Sequence, residues 1–162
     1  MVCVTDANIW IDLHHANLLD EAFELEVTWM TPDIVFHDEV LTVDRPLLKD
    51  LGLQVRSLTG KELNRITELN ARHPSPSPKD LSTIVVAKVE DGIVVTGDGP
   101  LRSAVEREEM EVHGVLWVLD QLVDQAIISS SRTATALNTM VSRGSRLPEA
   151  EVQQRLRRWR ES

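Results

Sequence analysis

The stretch VCVTDAN, residues 2–8, decides how the rest of the sequence is interpreted. Val2–Thr5 form a short apolar run, and the run ends directly at an acid, Asp6. Such a run predicts a buried strand that is followed at once by a carboxylate. In open parallel sheets, ligands bind beyond the carboxyl ends of the strands. Asp6 is therefore the first candidate for a functional residue.

Beginning with this stretch, strand and helix patterns alternate along the chain. They give the order β-α-β-α-β-α-α-β-α-β over about 115 residues. We predict strands at 2–5, 27–31, 53–58, 93–96 and 111–114. We predict helices at 9–19, 33–42, 59–70, 79–89 and 100–108, and then at about 117–127, 131–142 and 148–159. Thr59 and Glu62 have the spacing of a capping box. Short apolar strands separated by helices predict a parallel sheet that is covered on both faces.

The composition indicates one folded domain. The chain has 162 residues, of which 42% are hydrophobic, and this is enough to bury a core. No apolar run approaches the ~20 residues that a spanning helix needs, so we expect no membrane segment. The single cysteine, Cys3, excludes an internal disulfide framework and a cysteine-based zinc site. The first residues lack the basic region of a secretory signal, and we expect a cytoplasmic protein.

The negative charge is concentrated near the start of the chain. The formal net charge is −9, and residues 1–44 contain ten acids and no Lys or Arg. An excess of acid argues weakly against non-specific binding of nucleic acid, because phosphates are repelled. A cation held among the acids would remove that objection. A solvated acidic face is the alternative interpretation.

Four of the acids fall at positions that a parallel sheet brings to one edge. Asp6 and Asp98 each follow a predicted strand, Asp80 lies in the first turn of a helix, and Glu39 lies in the helix after the second strand. Converging carboxylates repel unless a cation compensates them, and oxygen ligands suit Mg²⁺ or Mn²⁺. Each acid also has a simpler interpretation. Asp6 could cap a helix and Glu39 could lie on a solvated helix face. Asp80 could be a first-turn acid that the helix dipole favours, and Asp98 could be a turn residue.

Five segments resemble, in chain order, the motifs of PIN domains. They are TDANIWIDL at 5–13, Pro32 to Val40, SPKDLSTIVVA at 77–87, VVTGDGPL at 94–101 and VHGVL at 112–116. The resemblance covers about residues 1–125. We therefore predict a PIN-like nuclease domain over 1–125 and a C-terminal helical extension, residues 126–162, packed on the same domain.

The resemblance implies a three-layer α/β/α sandwich with a five-stranded parallel sheet. It also implies a Mg²⁺- or Mn²⁺-dependent ribonuclease that hydrolyses RNA phosphodiester bonds with metal-activated water. The residues carried over are the catalytic and metal-binding acids Asp6, Glu39, Asp80 and Asp98, with Asn8 and Thr96 in supporting roles that orient carboxylates or water.

Two positions depart from the family pattern or leave a choice open. Many members carry a further acid or Asn after the fourth motif, where this chain has Gly99-Pro100-Leu101, so a second metal position is in doubt. Asp38 competes with Glu39, since adjacent helical residues point about 100° apart and only one should face the site. We choose Glu39, because the family has an acid immediately before an apolar residue there.

The resemblance also suggests partners. Many small members are VapC-type toxins of toxin–antitoxin pairs, so an RNA substrate, an antitoxin protein and a homodimer are expected. The alternative is a catalytically weak PIN-fold module for protein binding or dimerisation, which the missing acid after Asp98 favours.

The tryptophans and the terminal arginines have structural interpretations. Trp10, Trp29 and Trp117 lie in apolar patterns and are predicted to be core or interface residues. The arginines within 143–160 either contact RNA phosphates or form the polar face of a terminal helix that packs through Val152, Leu156 and Trp159. We favour the packing interpretation.

Overall fold

Five parallel strands form the centre of the fold in the computed structural model, which describes residues 1–39 and 43–161. The strands are β1 Val2–Thr5, β2 Thr28–Pro32, β3 Gln54–Arg56, β4 Ile93–Val95 and β5 Val112–His113. Their order across the sheet is β3-β2-β1-β4-β5. Val4 of β1 lies opposite Met30 of β2 and Val94 of β4. β1, the strand that ends at Asp6, is therefore the central strand.

Helices cover this sheet and follow it along the chain. They are α1 Ala7–His15, α2 Leu19–Ala22, α3 Asp33–Glu39, α4 Arg45–Leu51, α5 Gly60–Arg72, α6 Pro78–Val89, α7 Gly99–Arg107, α8 Val115–Asp124, α9 Ser130–Ser142 and α10 Glu149–Glu161. The predicted α/β class and five-stranded parallel sheet are confirmed.

Two predicted helices differ from the structure, and two short helices, α2 and α4, were not predicted. The helix predicted over 9–19 ends at His15, because Asn17 adopts a positive φ of 55° and a new turn begins at Leu19. The helix predicted over 33–42 is described only to Glu39, and residues 40–42 lie outside the described part. Helix α4 was missed, although Asp44 caps it by accepting a hydrogen bond from the Leu47 amide at 3.1 Å.

The sheet divides the core into two layers. Along β1, Cys3 packs into one hydrophobic cluster and Val4 into the other, and on β4 Val95 and Val94 divide in the same way. This alternation follows from the two-residue period of a strand. The first layer contains side chains of α1, α8, α9 and α10, and the second contains those of α5, α6 and α7. The result is a three-layer α/β/α sandwich.

The two C-terminal helices join the first layer. Val152, Leu156 and Trp159 of α10 are buried in the same cluster as α1 and α8. On the outer side of α10, Arg155 donates to Asp120 of α8 at 2.8 Å. The division at residue 125 remains a prediction. Within residues 1–39 and 43–161, every helix is too short or too polar to cross a lipid bilayer.

An ion pair stabilises the start of α5. The predicted capping box forms, since Thr59 Oγ1 accepts from the Glu62 amide at 3.2 Å and Glu62 Oε1 accepts from the Thr59 amide at 2.8 Å. Arg56 of β3 also donates to Glu62 Oε2 at 2.7 Å. These hydrogen bonds, led by the one from Arg56, lower the pKa of Glu62 to about 2.

This pKa predicts how stability depends on pH. A carboxyl whose pKa is lowered by folding contributes stability above its unfolded pKa of about 4.5 and loses it as the pH falls toward 2. We expect Glu62→Gln to lower the free energy of unfolding at pH 7 by about 1 kcal/mol, after allowance for solvent screening, and to have little effect near pH 2. Urea unfolding of both proteins at several pH values measures the difference. A difference that stays constant across this range would contradict the assignment.

Candidate active site

The direction of chain crossover reverses at the centre of the sheet. From β1 the chain continues to β2 on one side, and β4 lies on the other side of β1. Such a reversal opens a crevice at the carboxyl ends of the two strands. Asp6 directly follows β1, and Thr96 directly follows β4. These two residues therefore lie on either side of the crevice.

A pocket of about 270 Å³ lies at this crevice, and we call it the acidic pocket. Its lining includes the four carboxylates predicted from the sequence, namely those of Asp6, Glu39, Asp80 and Asp98. The other lining residues are Ala7, Asn8 and Ile11. Four of the seven lining residues are thus acidic. Thr96 is not part of the lining, but its hydroxyl donates a hydrogen bond to Asp6 Oδ2 and so orients that carboxylate.

Asp6 is the most deeply buried of the four acids, with 2% of its surface exposed. It stands at the first position before α1, but its side chain caps no amide of that helix. Its Oδ1 atom is buried and has no hydrogen-bond partner among the described residues. Burial raises the pKa of Asp6 to about 7, and the charges of Asp80 and Asp98 add to this effect. The Thr96 hydroxyl and the nearby Ile9 amide lower the pKa of Asp6, but by less than burial raises it.

Asp98 is fixed by the turn that follows β4. Its Oδ2 accepts a hydrogen bond from the Leu101 amide at 2.9 Å, so Asp98 caps α7. Its own amide donates to Thr96 Oγ1 at 3.0 Å. Thr96 thus links Asp98 to Asp6 through one hydroxyl. The cap occupies one carboxylate oxygen of Asp98, and the residue still lines the acidic pocket.

Asp80 and Glu39 complete the acidic wall. Asp80 lies in the first turn of α6, where its amide donates to Ser77 Oγ at 3.1 Å. Burial raises the pKa of Asp80, and the charge of Asp98 raises it further. Burial also raises the pKa of Glu39, followed by the charge of Asp80. The like charges thus act on each other across the pocket.

Asp38, the alternative to Glu39, has a different environment. It pairs with Lys79 Nζ at 2.9 Å, and about half of its side chain is exposed. Glu39 lines the acidic pocket, and Asp38 does not. Sequence reasoning overlooked Ser77 as the residue that fixes Asp80, although Ser77-Pro78-Lys79-Asp80 has the spacing of a helix cap and its acid.

The chemistry of the acidic pocket fits a hard divalent cation. Its charged donors are carboxylate oxygens, which Mg²⁺ and Mn²⁺ prefer, and the buried Oδ1 of Asp6 needs a partner. Across the described part of the chain, no group of three or more His, Cys, Asp or Glu side chains is already arranged so that it could hold a metal ion. Mutual repulsion keeps the four carboxylates of the acidic pocket apart from one another.

The fold and the pocket define a class of protein, an α/β/α sandwich with carboxylates gathered at the switch point of its sheet. The sequence model of one protein family, described as PIN domain, matches residues 2–161. The chain therefore belongs to the PIN domain family, whose fold is that of a nuclease. The match runs through α9 and α10 as well as the sheet. No curated protein matches the sequence.

The burial of Asp6 predicts a stability effect. A buried carboxylate with an unpartnered oxygen destabilises the fold when it is charged. Without divalent cations at pH 8, we expect Asp6→Asn to raise the free energy of unfolding by about 1–2 kcal/mol, because the substitution removes this charge. Urea unfolding in EDTA measures the change. The control Asp44→Asn, which exchanges one good helix cap for another at an exposed site, should be neutral. A less stable Asp6→Asn would contradict the prediction.

Proposed function

We propose that this protein is a metal-dependent ribonuclease that hydrolyses RNA phosphodiester bonds with water as the nucleophile. One observation carries the proposal, namely that Asp6, Glu39, Asp80 and Asp98 line one pocket at the carboxyl ends of β1 and β4. The described residues that line this pocket include no Ser, Cys or His side chain that could attack a phosphate. We therefore propose a water molecule, activated by the cation that the four acids would hold, as the nucleophile.

Asp6, Asp80, Asp98 and Glu39 would hold Mg²⁺ or Mn²⁺. When bound, such a cation supplies Lewis-acid polarisation of a phosphate oxygen and lowers the pKa of a coordinated water. Asp6 is the central member of the set, because its buried oxygen is unpartnered and the neighbouring acids disfavour its charge. Compensation of this charge provides free energy for metal binding that an exposed aspartate would lack.

Other groups of the chain orient the acids and the substrate. The Thr96 hydroxyl fixes the rotation of the Asp6 carboxylate, and the Leu101 amide fixes that of Asp98. Asn8 is exposed at the rim of the acidic pocket, where its amide is available to donate a hydrogen bond to a phosphate oxygen. The acids also repel an RNA phosphate until their charge is compensated, so cleavage should depend strictly on the cation.

The adjacent acids Glu39 and Asp38 give a matched test of activity. We expect Glu39→Gln to lower cleavage of single-stranded RNA roughly a hundredfold in Mn²⁺, because it removes a pocket carboxylate. Asp38→Asn changes the neighbouring exposed acid and should cleave within about twofold of the wild type. Initial rates with fluorescently labelled RNA measure both variants.

Asp6→Asn and EDTA serve as the controls for this test, and each should abolish cleavage. A DNA oligonucleotide of the same sequence tests whether the substrate is RNA. Persistent cleavage by Asp6→Asn would place the activity elsewhere. Absence of cleavage in wild type with either cation, together with tight binding of a protein partner, would favour a PIN-fold binding module instead.

We further propose that the enzyme acts in the cytoplasm as the toxin of a toxin–antitoxin pair and forms a homodimer. The sequence resemblance to VapC-type members supports this biological role. Induced expression in a bacterial host should arrest growth, because RNA is cleaved, and Asp6→Asn should not. Co-expression of the product of an adjacent small gene should restore growth if that product is the antitoxin. Growth arrest by both the wild type and Asp6→Asn would contradict a role through RNA cleavage.

A further inference from the structure

A second cavity lies beside the acidic pocket, and we call it the side cavity. It has a volume of about 410 Å³, and its wall includes Thr96, Gly97 and Gly99. Asp98, between these two glycines in sequence, lines the acidic pocket. Beyond the residues next to them in the chain, a Cβ atom built on either glycine would meet nothing within 4 Å, so the space beside Gly97 and beside Gly99 is open. A chain that crosses the turn can therefore occupy both.

An aromatic pair forms part of the wall of the side cavity. The rings of His113 and Trp117 are stacked, with centroids 4.6 Å apart and an angle of 11° between the planes. His113 ends β5, and its side chain is 30% exposed. Trp117 is half-buried, whereas Trp10, Trp29 and Trp159 are each at most 2% exposed. Trp117 was predicted to be a core or interface residue, and it packs at the edge of the first core layer with part of its side chain exposed.

Two arginines with unsatisfied guanidinium groups lie on the same wall. Within the described residues, the ion pair of Arg102 is a long contact of 3.7 Å to Glu106, and its Nη1 lies beside Gly114, next to His113. Arg146 has no ion-pair partner among the described residues and lines the side cavity as well. Arg155, by contrast, is paired with Asp120. The wall also contains three acids, Asp12, Asp120 and Glu151. Asp120 is paired with Arg155 and Arg158, and Asp12 accepts a hydrogen bond from Ser145, whereas Arg102 and Arg146 lie beside the aromatic pair.

We propose that the side cavity binds a nucleobase of single-stranded RNA next to the bond that is cleaved. The base stacks on the outer face of the His113–Trp117 pair, because the two rings already cover each other's inner faces. Arg102 and Arg146 contact the flanking phosphates, and the backbone crosses the Gly97–Gly99 turn into the acidic pocket. This inference rests on the proposed ribonuclease function. Stacking needs an unpaired base, so the site excludes duplex RNA and tolerates different bases.

The single half-exposed tryptophan provides a direct signal, because a stacked base quenches its fluorescence while the buried tryptophans are shielded. The test uses Asp6→Asn, which keeps the RNA intact, and a randomised 12-nucleotide single-stranded RNA. We expect this RNA to quench the tryptophan emission. Inorganic polyphosphate carries charge but no base, and it should leave the emission unchanged. Adding Trp117→Phe should remove the quenching and retain the affinity measured by anisotropy, since a ring remains at this position.

Variants that lack an aromatic ring or the Arg102 guanidinium group then test the individual contacts with RNA. Trp117→Leu and His113→Ala, each in the Asp6→Asn protein, should bind the RNA roughly ten- to a hundredfold more weakly. Arg102→Gln should also weaken binding, whereas Arg107→Gln, a change on the same helix that lies outside the side cavity, should not. Thermal unfolding confirms that each variant is folded. If Trp117→Leu fails to fold, His113→Ala and the quenching signal still decide the result.

Failure of this inference differs from failure of the proposed function. If wild type cleaves RNA with Mn²⁺ but the RNA binds Asp6→Asn without quenching, or polyphosphate quenches equally, the side cavity is not a base site. Unchanged affinity in His113→Ala and Trp117→Leu would lead to the same conclusion. If wild type neither cleaves nor binds RNA, both the ribonuclease function and the base site are overturned.

Discussion

A buried carboxylate at the end of the central strand is the constraint on which the rest of this structure depends. Asp6 is 2% exposed, one of its oxygens has no hydrogen-bond partner within residues 1–39 and 43–161, and three further acids line the same pocket. Burial of a charge in this way costs several kcal/mol unless a partner compensates it. Among the described residues, the Thr96 hydroxyl donates to the other oxygen of Asp6, and the Ile9 amide lowers the pKa of Asp6 less than burial raises it. The charged form of Asp6 therefore lowers the stability of the fold, and it does so at the edge where a parallel sheet binds its ligands.

The turn after β4 connects this constraint to the proposed substrate. Thr96 orients Asp6, Asp98 caps α7, and the space beside each of the two glycines that flank Asp98 is open. One short segment thus orients the acids and also separates the acidic pocket from the side cavity. This arrangement would account for the proposed RNA binding by a protein of net charge −9, since compensated acids, a stacked aromatic pair and two arginines would replace a general basic surface.

The sequence allowed the sheet and the acidic pocket to be predicted because both follow from local rules. Apolar runs at β1 and β4 predict buried strands. Because the carboxyl ends of parallel strands meet at one edge of the sheet, Asp6 and Asp98 come to the same edge. The missed features depend on information that a hydrophobic pattern lacks. The break after α1 depends on the positive φ of Asn17, and the partial exposure of Trp117 depends on its position across from β5. An apolar pattern cannot distinguish a tryptophan that fills a core from one that lines a cavity.

The central claim is that a divalent cation holds the four carboxylates at one rim, and a crystal structure with Mn²⁺ tests it most directly. Anomalous scattering at a wavelength near the manganese edge locates the ion without reference to the surrounding atoms. We expect a peak in the acidic pocket within coordination distance of Asp6, with Asp80, Asp98 or Glu39 as further ligands, and no such peak in Asp6→Asn. Manganese bound only elsewhere, with Asp6 still unpartnered, would contradict the claim.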